Sequence, residues 1–274
     1  MLKCAITGSS GVLGKKITRV LPYKFYQLKE NIENYNKVFK WINLRKYDLV
    51  IHLAAIVPTN KVNKNYKKAK SVNIQGTKNI IQAVLKTKNP PKWFFYASTS
   101  HVYSTKFSNK KLSENSQIKP YSKYGKTKRD GEKVLEKHFK NKKTKFCIGR
   151  IFSFTDKFQR VPFVIPSLLK KIKKSKDKKI FIENMNHYRD FLSTKDIALA
   201  INILFKKKSV GIYNIGSGNK INLKNIASLI AKKNNKNVIF SKDNKATYLI
   251  SNNNKIKKLG WRPKKFKKNI NYFY

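Results

Sequence analysis

Residues 3–21 read KCAITGSSGVLGKKITRVL, and this stretch decides the fold. KCAIT has the short apolar pattern of a buried β-strand, and VLGKKITRVL has the apolar spacing of an amphipathic helix. Between them stand Gly8, Gly11 and Gly14. Glycines in such a turn let the backbone approach a diphosphate at the helix N-terminus, where free amide groups and the helix dipole favour negative charge. The stretch therefore predicts a dinucleotide site at the start of a βαβ unit.

The following residues continue the alternation of strands and helices. Repeated βαβ units predict a parallel sheet with helices on both faces, so we expect an α/β fold of the doubly wound Rossmann type. We expect residues 1–152 to form the dinucleotide-binding domain, with a return segment near 188–208, and residues 153–274 to form a smaller α/β lobe that binds substrate. The predicted strands after the first are 47–55, 92–99 and 144–152, and the predicted helices after the first are 69–86, 122–140 and 196–205.

The chain of 274 residues is very basic, with 63 Lys and Arg against 13 Asp and Glu and a formal net charge of +50. Such a charge ordinarily indicates nucleic acid or an anionic membrane as the partner. Only seven of the basic residues are arginine, the residue that nucleic-acid surfaces favour, and the lysines are spread along the whole chain. We therefore interpret the charge as a compositional bias that attracts anions such as a phosphorylated substrate, with a specific nucleic-acid role as the less favoured alternative.

Cysteine use and hydropathy indicate the compartment. Cys4 and Cys147 each stand in a short apolar run, so we expect two reduced thiols in the core. The chain begins directly with a predicted strand, without an apolar signal region, and has no apolar run of membrane-spanning length. These patterns predict a cytoplasmic protein without membrane attachment, and we predict no metal site.

Residues 120–135 read PYSKYGKTKRDGEKVL and hold two tyrosines among four lysines. On a helix, residues four apart share a face, so Tyr124 lies beside Lys128, whereas Tyr121 lies beside Gly125. An ammonium group beside a phenol favours the phenolate and lowers the tyrosine pKa. Such a tyrosine can exchange a proton with a carbonyl or alcohol oxygen. In so basic a chain, the same spacing also fits a solvated helix face.

Several ordered segments resemble the extended short-chain dehydrogenases/reductases of the NAD(P)-dependent epimerase/dehydratase family, whose members modify sugar nucleotides. The resemblance runs nearly from end to end and favours a catalytic role for Tyr124 and Lys128. It also implies a nucleoside-diphosphate sugar as substrate, NAD or NADP as cofactor and a homodimer. The segments are TGSSGVLG (7–14), HLAA (52–55), VNIQGTKNII (72–81), YASTSHVYS (96–104), YGKTKRDGE (124–132), RDFLSTKDIA (189–198), YNIGSG (213–218) and KKLGWRP (257–263).

The resemblance assigns three sets of residues. The catalytic set is Thr99, Tyr124, Lys128 and Asn73, in which Asn73 is expected to hold the helix geometry or a water. The substrate set is Thr99, Ser100, Tyr124 and Arg189, with Lys242 or Lys245 as candidates for a second cation on the diphosphate. The cofactor set is Gly8, Ser10, Gly11, Val12, Leu13, Gly14, Asn31, Ile32, Leu53, Ala54, Ala55, Tyr124 and Lys128.

Departures from the family pattern narrow the reaction. Ser100 and His101 follow Thr99 where the 4,6-dehydratases of the family carry acidic residues, so dehydration is disfavoured. His101 is expected to be structural, with an acid/base role in epimerisation as the alternative, and His52 is expected to be structural. The short segment 21–39 resembles dTDP-4-dehydrorhamnose reductases. Epimerisation and reduction of a 4-keto group both remain open, as does the choice between NAD and NADP. A cofactor-sensing protein without turnover is a further alternative.

Overall fold

The computed structural model describes residues 1–57, 59–104, 109–241 and 245–264. Its centre is a six-stranded, all-parallel sheet with the strand order β2-β1-β3-β4-β5-β10. The central strands are short and almost wholly apolar, as expected for a sheet covered on both faces. These six strands are β1 (Lys3–Thr7), β2 (Lys24–Gln27), β3 (Leu49–His52), β4 (Trp93–Thr99), β5 (Lys145–Ile151) and β10 (Gly211–Ile215).

Helices cover both faces of the sheet, and the sheet separates two hydrophobic cores. The first core joins the sheet to α1 and α8, through residues such as Ile17 and Ile201. The second core joins it to α2, α5 and α6, through residues such as Ile42, Ile80 and Leu135. The helices of this part are α1 (Val12–Val20), α2 (Tyr35–Asn43), α3 (Thr59–Lys64), α4 (Tyr66–Lys70), α5 (Gly76–Lys86), α6 (Lys123–Glu136) and α8 (Thr194–Lys206).

A smaller α/β lobe follows β5, and its core is formed by apolar residues of two helices and their neighbouring strands. The chain then returns to the main sheet through α8 and β10, so the return ends at Ile215, beyond residue 208. The predicted division into two domains at residue 152 stays a prediction. The remaining elements are β6 (Ser153–Thr155), α7 (Val164–Lys174), β7 (Lys179–Ile182), β8 (His187–Arg189), β9 (Phe191–Ser193), β11 (Ile221–Asn222), α9 (Leu223–Lys233), β12 (Asn237–Phe240), β13 (Thr247–Leu249) and α10 (Asn254–Lys257).

The strand order reverses between β1 and β3, because β2 lies on one side of β1 while β3, β4 and β5 follow on the other. In open α/β sheets, ligands bind in the crevice outside the carboxyl ends of the strands at such a switch point. The turn at residues 8–11 lies at this position. The prediction of a doubly wound parallel sheet of the Rossmann type with a smaller α/β lobe is confirmed.

Candidate functional site

The glycine turn is packed closely against its own chain, except at one position. A Cβ atom on Gly14 would lie 2.3 Å from the Gly8 carbonyl oxygen, and Gly8 itself has a φ of +72° and lies against the Ala54 backbone. At Gly11 the nearest atom to such a Cβ is the Gly8 carbonyl oxygen at 3.4 Å, an ordinary van der Waals distance, so Gly11 is the only one of the three that leaves room beside its backbone. Gly11 precedes α1, whose first turn has no side-chain cap. Uncapped amide groups beside an open glycine fit a diphosphate group. Ser10, Val12 and Leu13 complete this turn.

The segment after β3 lies beside the glycine turn and is fastened to β1. The Leu53 amide donates to the Thr7 carbonyl oxygen, and the Ala54 amide donates to Thr7 Oγ1, both at 3.2 Å. Residues 53–55 are half-buried. Leu53, Ala54 and Ala55 therefore border the same crevice as the glycine turn.

His52 ends β3 and is enclosed in the core. Its Nδ1 lies 2.6 Å from Thr7 Oγ1, and its Nε2 lies 3.0 Å from Thr77 Oγ1. Burial is the main reason that its pKa is lowered to about 3, so the ring is neutral at physiological pH. His52 joins β1 to the start of α5, as its interpretation as a structural residue predicts.

Asn31 and Ile32 lie in the loop between β2 and α2. Asn31 Oδ1 accepts a hydrogen bond from the Glu33 amide, and the Ile32 side chain is 6% exposed and packs in the second core. The Ile32 side chain is thus occupied by protein atoms, which leaves only the backbone of this residue to meet a ligand. The assignment of both residues to the adenine end of a cofactor stays a prediction.

The first turn of α6 is held directly against the end of β4. Ser122 caps the helix by accepting a hydrogen bond from the Gly125 amide at 3.0 Å. A Cβ at Gly125 would lie 2.3 Å from the His101 carbonyl oxygen, so only glycine permits this approach. The approach brings the Tyr124 side chain close to that of Thr99, which acts on the pKa of Tyr124.

The electrostatics of this pair differ from the sequence-based expectation. Burial raises the pKa of Tyr124 to about 12, and the hydrogen bond with Thr99 only partly opposes this effect. Lys128, which is 2% exposed, has its pKa lowered to about 7 by burial, while the charge of Glu132 opposes that shift. Its Nζ lies 4.0 Å from the centroid of the Tyr96 ring. The expected lowering of the tyrosine pKa is therefore wrong, because desolvation of Tyr124 outweighs the opposing effect of Thr99.

Asn73 lies behind α6, in a π-helical turn spanning Ser71–Gln75 that interrupts the predicted helix 69–86. Its side chain accepts from the Ile56 amide (2.7 Å) and donates to the Ile56 carbonyl oxygen (3.1 Å) and to Thr127 Oγ1 (3.0 Å). Thr127 in turn donates to the Tyr124 carbonyl oxygen at 2.8 Å. Asn73 therefore ties the segment after β3 to the backbone of Tyr124.

A buried ionic group behind α6 was not predicted from the sequence. Arg150 and Glu132 are 1% and 0% exposed, and two guanidinium nitrogens each donate to a Glu132 carboxylate oxygen at 2.9 Å. Ser98 and Arg129 donate to the same carboxylate, at 2.5 and 2.9 Å. The group joins β4, β5 and α6 one helical turn beyond Lys128. Only the spacing of Glu132, four residues after Lys128, indicates it in the sequence.

Arg189 extends from β8 toward the end of β4. Its NH1 donates to the carbonyl oxygens of Tyr188 (2.9 Å) and Thr247 (3.1 Å) and to Thr247 Oγ1 (3.1 Å). Its Nε and NH2 have no hydrogen-bond partner in the described part of the chain. Burial is the main cause that lowers the pKa of His101 to about 4, and the charge of Arg189 is the second cause. The charge of Arg189 therefore acts on His101.

His101 connects Arg189 with both tyrosines of the 120–135 segment. Its ring is stacked on the ring of Tyr121 and edge-on to that of Tyr124, with centroids 5.9 Å apart in each pair. Its Nδ1 lies 3.4 Å from the Tyr121 hydroxyl oxygen. The structure thus brings Thr99, Tyr124, His101 and Arg189 together at one end of the sheet.

The remaining substrate candidates are Ser100, Lys245 and Lys242, and Tyr103 follows Ser100 in the same segment. Ser100 is 1% exposed and belongs to the short 3₁₀ turn after β4. Tyr103 is a buried packing residue, whose hydroxyl donates to Asn214 Oδ1 at 2.6 Å. Lys245 precedes β13, the strand of Thr247, and Lys242 lies outside the described residues.

The described residues were also compared with what a metal site and a membrane span require. They contain no group of three or more His, Cys, Asp or Glu side chains placed to hold a metal ion. Over the same ranges, no helix combines the length and the apolar character that crossing a membrane requires. Cys4 and Cys147 are both buried free thiols.

Comparison with known proteins gives related sequences of sugar-nucleotide metabolism. The chain is 26% identical over 268 residues to a dTDP-D-glucose 4,6-dehydratase of Dictyostelium discoideum, covering 83% of this chain and 61% of that protein. It is 28% identical over 218 residues to a GDP-6-deoxy-D-talose 4-dehydrogenase of Aggregatibacter actinomycetemcomitans, covering 75% of this chain and 71% of that protein. The chain thus spans less than two thirds of the first relative.

Among solved structures, the fold is similar to that of RMD from Pseudomonas aeruginosa complexed with NADPH, with a TM-score of 0.85. The two chains are 19% identical, and the match covers 96% of this chain and 94% of the other. The family described as the NAD dependent epimerase/dehydratase family matches residues 4–216. The resemblance in the sequence motifs is confirmed, and this chain belongs to the NAD dependent epimerase/dehydratase family.

Proposed function

We propose that this chain is an NAD(P)-dependent enzyme that acts on a nucleoside-diphosphate sugar, either epimerising it or reducing its 4-keto group. One observation carries the proposal. The adjacent side chains of Thr99 and Tyr124, with buried Lys128 one turn further along α6, lie at the same edge of the sheet as the glycine turn. A proton-transfer pair and a diphosphate site at one sheet edge suit hydride transfer at an alcohol or carbonyl carbon.

The side chains of the pair have separate roles in this proposal. Tyr124 gives a proton to the sugar oxygen or takes one from it, and Thr99 holds the same oxygen by a hydrogen bond. Lys128 favours the phenolate when it is charged and is expected to hold the nicotinamide ribose. The nicotinamide supplies or accepts the hydride when the cofactor is bound. Because burial raises the pKa of Tyr124, its hydroxyl is protonated at neutral pH and begins a reduction as an acid that protonates the developing alkoxide.

Arg189 is the proposed contact for the diphosphate of the substrate. Its NH1 is occupied by Thr247 and Tyr188, while Nε and NH2 have no partner among the described residues. Two parallel N–H donors suit bidentate binding of a phosphate. The relatives named as acting on dTDP- and GDP-linked sugars support a substrate of this class. Lys245 is a candidate second cation, and Ser100 borders the sugar.

Dehydration is not proposed, although the first relative is a dehydratase. Elimination needs an acid/base group beside the sugar carbons in addition to Tyr124. At the positions after Thr99 this chain has Ser100 and His101 instead of acidic residues, and His101 is engaged by two tyrosine rings. We also propose a homodimer in the cytoplasm, which light scattering after size exclusion and cell fractionation test.

A substrate panel tests the function. UDP-, dTDP- and GDP-sugars and their 4-keto forms are incubated with the protein and with each reduced or oxidised cofactor. Stoichiometric loss of reduced nicotinamide with a keto sugar indicates the reductase, and sugar interconversion without net cofactor change indicates the epimerase. Cofactor binding without turnover of any sugar nucleotide would favour the cofactor-sensing alternative. A filter-binding assay with RNA at physiological salt tests the nucleic-acid alternative, which predicts tight, steeply salt-dependent binding.

A further inference from the structure

The last residue of β2 is held by the glycine turn. Ser9 Oγ donates to Gln27 Oε1 at 2.8 Å, and Ser9 is 9% exposed. This hydrogen bond fixes the side-chain carbonyl of Gln27. The amide nitrogen of the same side chain has no partner in the described ranges, and Gln27 is exposed beside the turn.

This position faces the part of a dinucleotide that distinguishes its two forms. In Rossmann folds the adenosine ribose lies beside the end of the second strand. An acidic residue there accepts from the 2′-hydroxyl of NAD, whereas a basic environment accommodates the 2′-phosphate of NADP. Gln27 carries no charge and offers two N–H donors on its free end. It therefore lacks the repulsion that a carboxylate would exert on a phosphate.

The carboxylates that follow β2 are already paired. Glu30 forms an ion pair with Lys37 at 2.9 Å. Glu33 forms an ion pair with Lys68, and the hydrogen bond from Lys68 is the main cause that lowers the pKa of Glu33. Lys29 is exposed two residues after Gln27. The electrostatic surroundings of the β2 end are therefore neutral to positive, which favours an additional phosphate.

We infer that the cofactor site of this chain selects NADP(H) over NAD(H), with Gln27 as the residue that determines this preference through a hydrogen bond to the 2′-phosphate. The inference rests on the proposed function and specifies its cofactor. Ser9 orients the amide, so that the N–H donors of Gln27 face the ligand.

Direct binding tests the inference without turnover. The dissociation constants of NADPH and NADH are measured by nicotinamide fluorescence at an ionic strength of about 0.15 M, where distant surface lysines are screened. We expect NADPH to bind at least about tenfold more tightly. Adenosine 2′,5′-bisphosphate should displace NADPH at lower concentration than AMP, from which it differs only in the 2′-phosphate.

Two matched variants separate the site from the overall charge. Gln27→Asp should lower the ratio of NADPH to NADH affinity by about tenfold or more, because its carboxylate repels the phosphate and accepts from a 2′-hydroxyl. Gln82→Asp makes the same change of charge on an exposed residue of α5 and should leave the ratio unchanged.

The possible failures are distinguishable. Equal or tighter binding of NADH by the unmodified chain would overturn the inference alone, and so would equal shifts in the two aspartate variants. Only if neither NADPH nor NADH binds would the proposed function be overturned as well.

Discussion

Replacing Tyr124 by phenylalanine removes one oxygen atom from the centre of the candidate site. Its structural effect should be small. The change removes at most one hydrogen-bonding contact, with Thr99, whose Oγ1 still accepts from the His101 amide at 3.3 Å, so no buried group is left without a partner. The net cost of such a hydrogen bond is about 1 kcal/mol, against a total stability of about 5–15 kcal/mol for a typical domain. The variant should remain folded, with cofactor affinity nearly unchanged.

The catalytic effect of the same change should be much larger. General acid–base catalysis contributes about 10²–10⁴-fold to turnover, which corresponds to about 3–5 kcal/mol of transition-state stabilisation. The free energy lost in the transition state should therefore exceed the loss of folding stability several-fold. Steady-state turnover with the substrate identified by the panel, beside thermal unfolding of the same sample, measures both quantities.

Tyr121→Phe is the matched control, three residues away in the same lysine-rich segment. Tyr121 is 56% exposed, and its hydroxyl makes one long contact of 3.4 Å with His101. Loss of so weak a hydrogen bond should reduce turnover by less than about tenfold. An equal loss of turnover in both tyrosine variants, or no loss in either, would refute the assignment of Tyr124 as the acid/base.

Three further predictions concern charged groups around the site. Glu132→Gln should lower the free energy of unfolding by about 3–5 kcal/mol, because it leaves buried Arg150 unpaired. Its control, Glu136→Gln, should change the free energy of unfolding by less than about 0.5 kcal/mol. Chemical denaturation of both variants measures this difference. Lys128 has a folded-state pKa of about 7, below its usual value of 10.5, so the unfolded state binds more protons between these values. The stability of the unmodified chain relative to Lys128→Met should therefore rise with pH across this window, and a flat difference would contradict the buried, shifted amine. Arg189→Lys should weaken binding of a nucleoside diphosphate by about tenfold or more, measured by calorimetry, because a lysine cannot replace two parallel N–H donors.

The sequence predicts the fold through features that act locally. The glycine turn and the apolar strands are read from consecutive residues, and parallel pairing follows from the connecting helices. The spacing of four residues that pairs Tyr124 with Lys128 on one helix face is likewise local. These predictions needed no knowledge of which distant residues meet.

The parts that the sequence did not reveal depend on contacts between distant segments. The π-helical turn at Asn73 forms where the side chain reaches Ile56 and Thr127, and helix propensity alone does not indicate it. The link between Ser9 and Gln27 spans the whole of α1. The raised pKa of Tyr124 depends on burial beneath several elements, which spacing along one helix cannot show.

The few acidic side chains of this basic protein include some of its most buried charges, and this distribution bears on how the site is built. Glu132 and Asp190 are both fully buried. Glu132 fixes α6 through Arg150. Asp190, which directly follows Arg189 in the chain, accepts hydrogen bonds from the backbone amides of Ser217 and Gly218, after β10, and of Ser251. Each therefore holds the segment that carries a proposed functional cation, Lys128 or Arg189. Breaking a buried charge pair costs much stability, whereas an exposed charge contributes little. Substitutions that add exposed lysines are therefore tolerated, whereas substitutions of these buried acidic residues are not. The net charge of +50 thus describes mainly the surface, and the charges that shape the candidate site are the few buried ones.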